Sequence, residues 1–173
     1  LSKMNLNDKI IILESTVYPS VTRSYADKIV KLSRKYKIGK NIFFGYSPER
    51  ENPGDKSFSY DKTPKVISGY SNSCLKLIEK IYQNIVKKTF SCRTLEEAET
   101  SKLLENLYRS INIGLANEMK LICDKLNIDV HNVIESAATK NFGFQKFTPG
   151  PGLGGHCIPI DPYYLSWISK KNG

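Results

Sequence analysis

The sequence predicts an α/β chain in two parts: a parallel sheet layered with helices, then an all-α half built around one long helix. Three observations carry this. Short apolar runs of strand length alternate with segments of helical period up to about residue 92. From Thr94 onward the apolar spacing becomes three and four residues and stays so. The 173 residues, 40% apolar and 25% charged, are enough for one large folded unit or two small ones. The predicted domains are 1–92 and 93–173.

The first strand is Lys9 to Leu13, a continuous apolar run of the kind buried on both faces of a sheet. It runs into the polar turn Glu14 to Pro19, and a helical segment follows over 21–36. Asn41 to Tyr46 is the second strand, ending in Ser47-Pro48-Glu49-Arg50, and a polar loop continues through Asp61. Lys65 to Gly69 is the third strand, 72–86 a helix, and Lys88 to Ser91 a short fourth strand. Strands spaced by helices imply parallel pairing, with functional groups gathered at the strands' carboxyl ends. Ser15-Thr16 and Ser47-Pro48-Glu49 occupy two such ends.

In the second half Leu104, Tyr108, Ile111, Leu115, Met119, Ile122 and Leu126 form an apolar stripe at helical spacing. Thr94 is the expected N-cap, and Glu96, Glu97 and Glu99 complement the positive end of that helix. Lys102, Asn106 and Arg109 make a polar stripe on the other side; on pattern alone this is a solvated face. A second helix is expected over 129–139, with His131 at its surface.

Composition narrows the function classes. No apolar run approaches the roughly 18 residues of a membrane span, and the first residues lack the apolar stretch of a signal peptide. The net charge is +9, and the whole excess lies in residues 1–88, with 17 basic residues against 8 acidic ones. A basic half is compatible with an anionic partner. However, most of these residues are scattered lysines, and no aromatic-basic platform for nucleic acid is visible. Cys74, Cys92, Cys123 and Cys157 include no C-x-x-C pair, and His131 and His156 are the only histidines, so no metal site is predicted. Sparse cysteine without an export signal fits reduced thiols in a cytoplasm. Cys74 and Cys123 fall in helical patterns as core residues.

Residues 147–162 read Phe-Thr-Pro-Gly-Pro-Gly-Leu-Gly-Gly-His-Cys-Ile-Pro-Ile-Asp-Pro. Gly150, Gly152 and Gly155 formally match G-x-G-x-x-G, but that motif must leave a strand and open a helix. With prolines at 149, 151, 159 and 162, no helix is expected directly after Gly155. The glycines instead allow close backbone approach to a ligand. Within this loop Cys157 is either a nucleophile or a packed thiol.

Four segments taken together resemble the nucleotide-sugar 6-dehydrogenases of the UDP-glucose/GDP-mannose dehydrogenase family. They are Leu13 to Pro19, Ser47 to Gly54, Glu99 to Asn106 and Gly150 to Pro162, and the resemblance covers essentially the whole chain. The sequence G-G-H-C-I-P before D-P is closer to enzymes of UDP-N-acetylglucosamine and UDP-N-acetylmannosamine than to UDP-glucose enzymes, which usually carry G-G-S-C-F and a lysine before the aspartate. The resemblance implies a Rossmann-like NAD domain followed by a central helical domain. It also implies four-electron oxidation of the sugar C6 alcohol to the uronic acid with two NAD⁺, supplying precursors of surface polysaccharide.

Residue by residue, the resemblance makes Cys157 the nucleophile that holds the aldehyde as a thiohemiacetal and then a thioester. Lys102 and Asn106 contact substrate and stabilise the oxyanion. Asp161 positions water or Lys102, and Glu49 is the general base of thioester hydrolysis beside the cofactor. Ser15 and Thr16 contact the cofactor, Gly154 and Gly155 the substrate, and Arg109 is structural. A homodimer through the helix over 95–126 is implied. The family opens with a G-x-G-x-x-G strand–turn–helix and ends with a third domain, neither of which these residues contain. The expectation is therefore a fragment that binds NAD⁺ weakly and is inactive alone. Alternative classes are a UDP-glucose 6-dehydrogenase, a dimerising interaction domain, a cysteine hydrolase lacking a suitably placed histidine, and a basic nucleic-acid module.

Overall fold

The computed structural model describes residues 4–50 and 63–173. The loop expected through Asp61 and the Glu51 to Gly54 part of the second motif lie outside the described residues. The chain forms two compact units, 1–103 and 104–173.

The first unit contains β1 (Lys9–Leu13), α1 (Val21–Leu32), β2 (Ile42–Tyr46), β3 (Lys65–Gly69), α2 (Asn72–Tyr82), β4 (Thr89–Ser91) and the start of α3 (Leu95–Lys125). One sheet runs in the order β1-β2-β3-β4. β1 pairs parallel to β2 from Lys9 opposite Ile42 to Leu13 opposite Tyr46, and β3 pairs parallel to β4. Between them, β2 and β3 are antiparallel, with Gly45 opposite Gly69 and Tyr46 opposite Ser68. The α/β class stands, but the expected all-parallel pairing does not. A parallel neighbour requires a crossover that returns the chain to its starting end. No described helix lies between β2 and β3, and the chain reverses instead.

This reversal sets the start of β3 beside the end of β2. Ser47 Oγ donates to the Val66 carbonyl at 2.7 Å, and Arg50 Nη1 donates to the Pro64 carbonyl at 2.9 Å. The sheet is covered on both faces, which is why its strands read as unbroken apolar runs. Ile42 and Phe44 pack with Ala26 and Ile29 of α1 on one face, and Ile67 packs with Ile78 and Tyr82 of α2 on the other. Leu95 and Ala98, the first buried residues of α3, join Tyr46 and Val66.

Helix ends follow their capping chemistry. Ser71 accepts the Cys74 N–H to start α2, and Thr94 accepts the Glu97 N–H at 3.0 Å to start α3 as the sequence predicts. Both α1 and α2 stop about a turn earlier than their periodicity indicates. Tyr36, beyond the end of α1, instead takes the Leu6 N–H on its hydroxyl at 2.8 Å.

The second unit holds the rest of α3, α4 (Val130–Ala138) and α5 (Cys157–Asn172). Its small core joins Cys123 of α3 to Val130 and Ile134 of α4, and Asp129 caps α4 through the His131 N–H. α5 overturns the expectation that no helix follows Gly155: it begins two residues later. Pro159 falls in the first turn, where backbone N–H groups have no intrahelical acceptor, so its ring costs little there. Pro162 lies deeper and removes one helical bond.

Gly69 sets the approach of β3 to α2. A Cβ at this position would stand 2.3 Å from Leu75 N and 2.7 Å from Leu75 Cα, both backbone atoms that cannot step aside. Gly69→Ala is therefore expected to cost about 2 kcal/mol through overpacking, read as a lower urea midpoint with unchanged slope.

Candidate active site

In the first unit, polar side chains collect at the carboxyl ends of β1 and β2. Glu14 follows β1, Glu49 follows β2, and the antiparallel reversal brings Lys65 to the same place. The Lys65 side chain is 4% exposed, and its ammonium stands 3.1 Å from Glu14 Oε1 and 3.9 Å from Glu49 Oε2. Tyr82 donates its hydroxyl to Glu14 Oε1 at 2.6 Å and lies with its ring under the same ammonium. Burial pushes the Glu14 carboxyl up, but the Tyr82 hydroxyl and the Lys65 ammonium outweigh it and hold the group below its ordinary value. Ser15 is exposed and Thr16 half-buried in the turn after β1, and neither hydroxyl is engaged by another described residue.

The start of α3 is fixed to this unit by two carboxylates. Glu99, fully buried, accepts the Ser20 N–H at 2.6 Å and the Thr22 N–H at 2.8 Å. These are donors at the N-terminus of α1, so Glu99 serves that helix and not its own, contrary to the sequence expectation. Burial pushes its carboxyl above the ordinary value against the pull of those N–H groups. Glu96 pairs with Arg23, Nε to Oε1 at 2.6 Å and Nη2 to Oε2 at 3.1 Å. Lys102 sits one turn beyond Glu99, half-buried, and its ammonium makes no ion pair with any described residue.

In the second unit Cys157 is the first residue of α5 and is exposed, whereas Cys74, Cys92 and Cys123 are buried. The loop before Cys157 is held to α3 by residues the sequence reading did not single out for this role. Asn117 accepts the Gly150 N–H at 2.8 Å and donates to the Gly152 carbonyl at 3.2 Å. Tyr108 donates to Gln145 Oε1 at 2.9 Å and packs edge-on against Phe147. Gly154 and Gly155 both have positive φ, 71° and 74°, which side chains with a Cβ rarely adopt. No strand leads into this loop, so the dinucleotide-fingerprint context is absent even though a helix follows.

Asp161, 4% exposed, accepts a hydrogen bond from Asn106 Nδ2 and so pins the first turns of α5 to α3. Asn106 is therefore not part of a merely solvated stripe. Arg109 and Lys146 flank a cavity of about 540 Å³ walled by Pro149 to Gly154. Among the described residues, no group of three or more His, Cys, Asp and Glu side chains is arranged to hold a metal ion, and no helix is long and apolar enough to cross a membrane.

Residues 1–86 match the family model described as the UDP-glucose/GDP-mannose dehydrogenase family, NAD binding domain, and residues 96–173 match the central domain of the same family. The chain belongs to the UDP-glucose/GDP-mannose dehydrogenase family. Among curated proteins it is 38% identical to Protein CapL of Staphylococcus aureus, over all of this chain and 41% of that protein. It is 39% identical to a UDP-N-acetyl-D-glucosamine 6-dehydrogenase of Salmonella typhi, over 95% of this chain and 38% of that protein. A solved UDP-D-ManNAc dehydrogenase from Pyrococcus horikoshii superposes with a TM-score of 0.90 at 34% identity, covering 98% of this chain and 40% of that one. The chain thus spans about two fifths of the length of the relatives it matches.

Two measurements check these contacts in this family member. A double-mutant cycle on Asn106→Ala and Asp161→Ala is expected to give a coupling of about 1.5–3 kcal/mol, the range of a hydrogen bond to a charged group. The Arg23 guanidinium bonds Glu96 and holds its carboxyl below the ordinary 4.5, with burial pulling partly the other way. The unfolded chain therefore takes up that proton first on acidification. The pair's stabilisation is complete above about pH 4.5 and is lost as pH falls through the lowered value. Glu96→Gln is expected to flatten that acid limb in urea midpoints measured against pH.

Proposed function

We propose that this chain forms part of an NAD-dependent nucleotide-sugar 6-dehydrogenase that oxidises the C6 alcohol of a UDP-N-acetylhexosamine to the carboxylate. The carrying observation is Cys157: an exposed thiol at the first turn of α5, at the end of a clamped glycine loop. The named relatives support the substrate class, and the GlcNAc form is our first choice, with its ManNAc epimer second.

The carboxyl end of β1 fits a nicotinamide cofactor in having two hydroxyls, on Ser15 and Thr16, open to a ligand at the end of the sheet where such folds bind them. When bound, NAD accepts a hydride in each of two oxidations. The chain's own residues do the rest. Cys157 Sγ adds to the C6 aldehyde, and the thiohemiacetal keeps that intermediate from escaping. Its oxidation, with loss of a hydride and a proton, leaves a thioester. Lys102, with a half-buried ammonium and no described counter-ion, and Asn106, one turn on, stabilise the oxyanion. The first-turn N–H groups of α5 place positive dipole ends near Cys157. Asp161 holds Asn106, Gly154 and Gly155 shape the substrate loop, and Glu49 serves as base for the hydrolytic water.

Leu104, Tyr108, Ile111, Leu115, Ile122 and Leu126, the apolar stripe of α3, are all exposed in the single chain. An apolar row of this length on a soluble chain calls for a covering partner, and we assign it to the same helix of a second copy. Leu115→Glu with Ile122→Glu is expected to convert a dimer to a monomer in sedimentation velocity. If the double variant sediments like wild type, that assignment fails.

The decisive test uses the complete reading frame around this chain and counts NADH formed per UDP-N-acetylglucosamine consumed. Two per sugar is expected, with turnover lost in Cys157→Ser. One per sugar, or activity indifferent to Cys157, overturns the reading.

A further inference from the structure

We propose that Asn117 is a positioning residue: it preforms the wall on which the nucleotide sugar docks, and so governs KM rather than kcat. This role rests on the reading above, and every residue it involves belongs to the second unit. Residues 148–157 are exposed or half-buried throughout, with no buried member. A Cβ at Gly152, Gly154 or Gly155 would meet nothing within 4 Å. Packing thus does little to hold this segment. Among the described residues, the hydrogen bonds that tie 148–154 to the rest of the unit are the two made by Asn117.

The two bonds fall where the backbone is free. Pro149 and Pro151 have φ fixed by their rings, so Gly150 and Gly152 are the residues left to swing. Asn117 accepts the N–H of the first at 2.8 Å and donates to the carbonyl of the second at 3.2 Å. A carboxamide carries acceptor and donor side by side, so one side chain answers both groups. The segment held in this way walls the cavity of about 540 Å³, with Arg109 and Ile113 of α3 among its other lining residues. A substrate entering there meets backbone already set; without Asn117, docking must also order Gly150 and Gly152. The thiol has a separate anchor. Asn106 donates to Asp161, one turn into α5, and so holds the helix that carries Cys157. Loosening the wall therefore weakens docking and leaves the thiol in place for substrate that has bound.

The test follows steady-state NADH formation by the polypeptide of the complete reading frame, varying UDP-N-acetylglucosamine at saturating NAD⁺. Asn117→Leu, which nearly keeps the volume and removes both bonds, is expected to raise KM at least tenfold with kcat within twofold of wild type. Asn117→Gln, which retains the carboxamide, is expected to return KM to within threefold of wild type. Asn117→Ala, a strong helix former, carries the same test should the leucine variant fail to fold. A folded variant with KM within twofold of wild type overturns the proposal. So does a kcat that falls as far as kcat/KM, which marks a role outside docking, and so does a glutamine variant no better than leucine. Failure of the underlying reading shows separately in the wild-type enzyme, as one NADH per sugar.

Discussion

The N-terminus of α1 cannot be buried against α3 unless its backbone N–H groups find acceptors, and Glu99 supplies both oxygens. A fully buried carboxylate is unfavourable by itself, and burial pushes the Glu99 carboxyl above its ordinary value. It is held in place because removing it would leave the buried Thr22 N–H and the part-buried Ser20 N–H unanswered, and an unanswered buried donor costs more than the net worth of its bond. The contact joins residues 77 to 79 apart in sequence. With the Arg23–Glu96 pair beside it, this contact fixes the first turns of α3 against the sheet. Lys102 is placed by that attachment, since it lies one helical turn further on.

The direction of a single strand has comparable weight. With β3 antiparallel to β2, Lys65 emerges where β1 and β2 end, beside Glu14 and Glu49. A parallel β3 would have set Lys65 at the opposite edge of the sheet, away from both carboxylates. The polar cluster thus depends on topology, and the apolar pattern of the strands carries no record of it.

In the second unit, the glycine loop is shaped less by its own freedom than by α3. Asn117 clamps two of its backbone groups, and Asn106 anchors the helix that follows through Asp161. The positive φ of Gly154 and Gly155 lets the chain turn into α5 with Cys157 at its exposed first residue. Loop and α5 are thus both bonded to α3 within this unit.

The sequence by itself determined what local pattern controls. The strands at 9–13, 42–46 and 65–69, the Thr94 cap, the length of α3 and the position of the loop thiol all follow from apolar periodicity and capping chemistry. The candidate residues Cys157, Lys102, Asn106, Asp161 and Glu49 were named through the family resemblance of short local motifs, and their roles are proposals. What only the tertiary structure decided is pairing across distance: the reversal of β3, the burial of Lys65 between Glu14 and Glu49, and the service of Glu99 to a helix other than its own. The start of α5 after two glycines and before a proline also escaped the sequence reading. A first-turn proline lacks only a bond that position never makes, so the same residue that signals a break can sit inside a helix. Hydrophobic pattern states that a residue is buried; which polar partner answers it depends on the chain elements brought alongside.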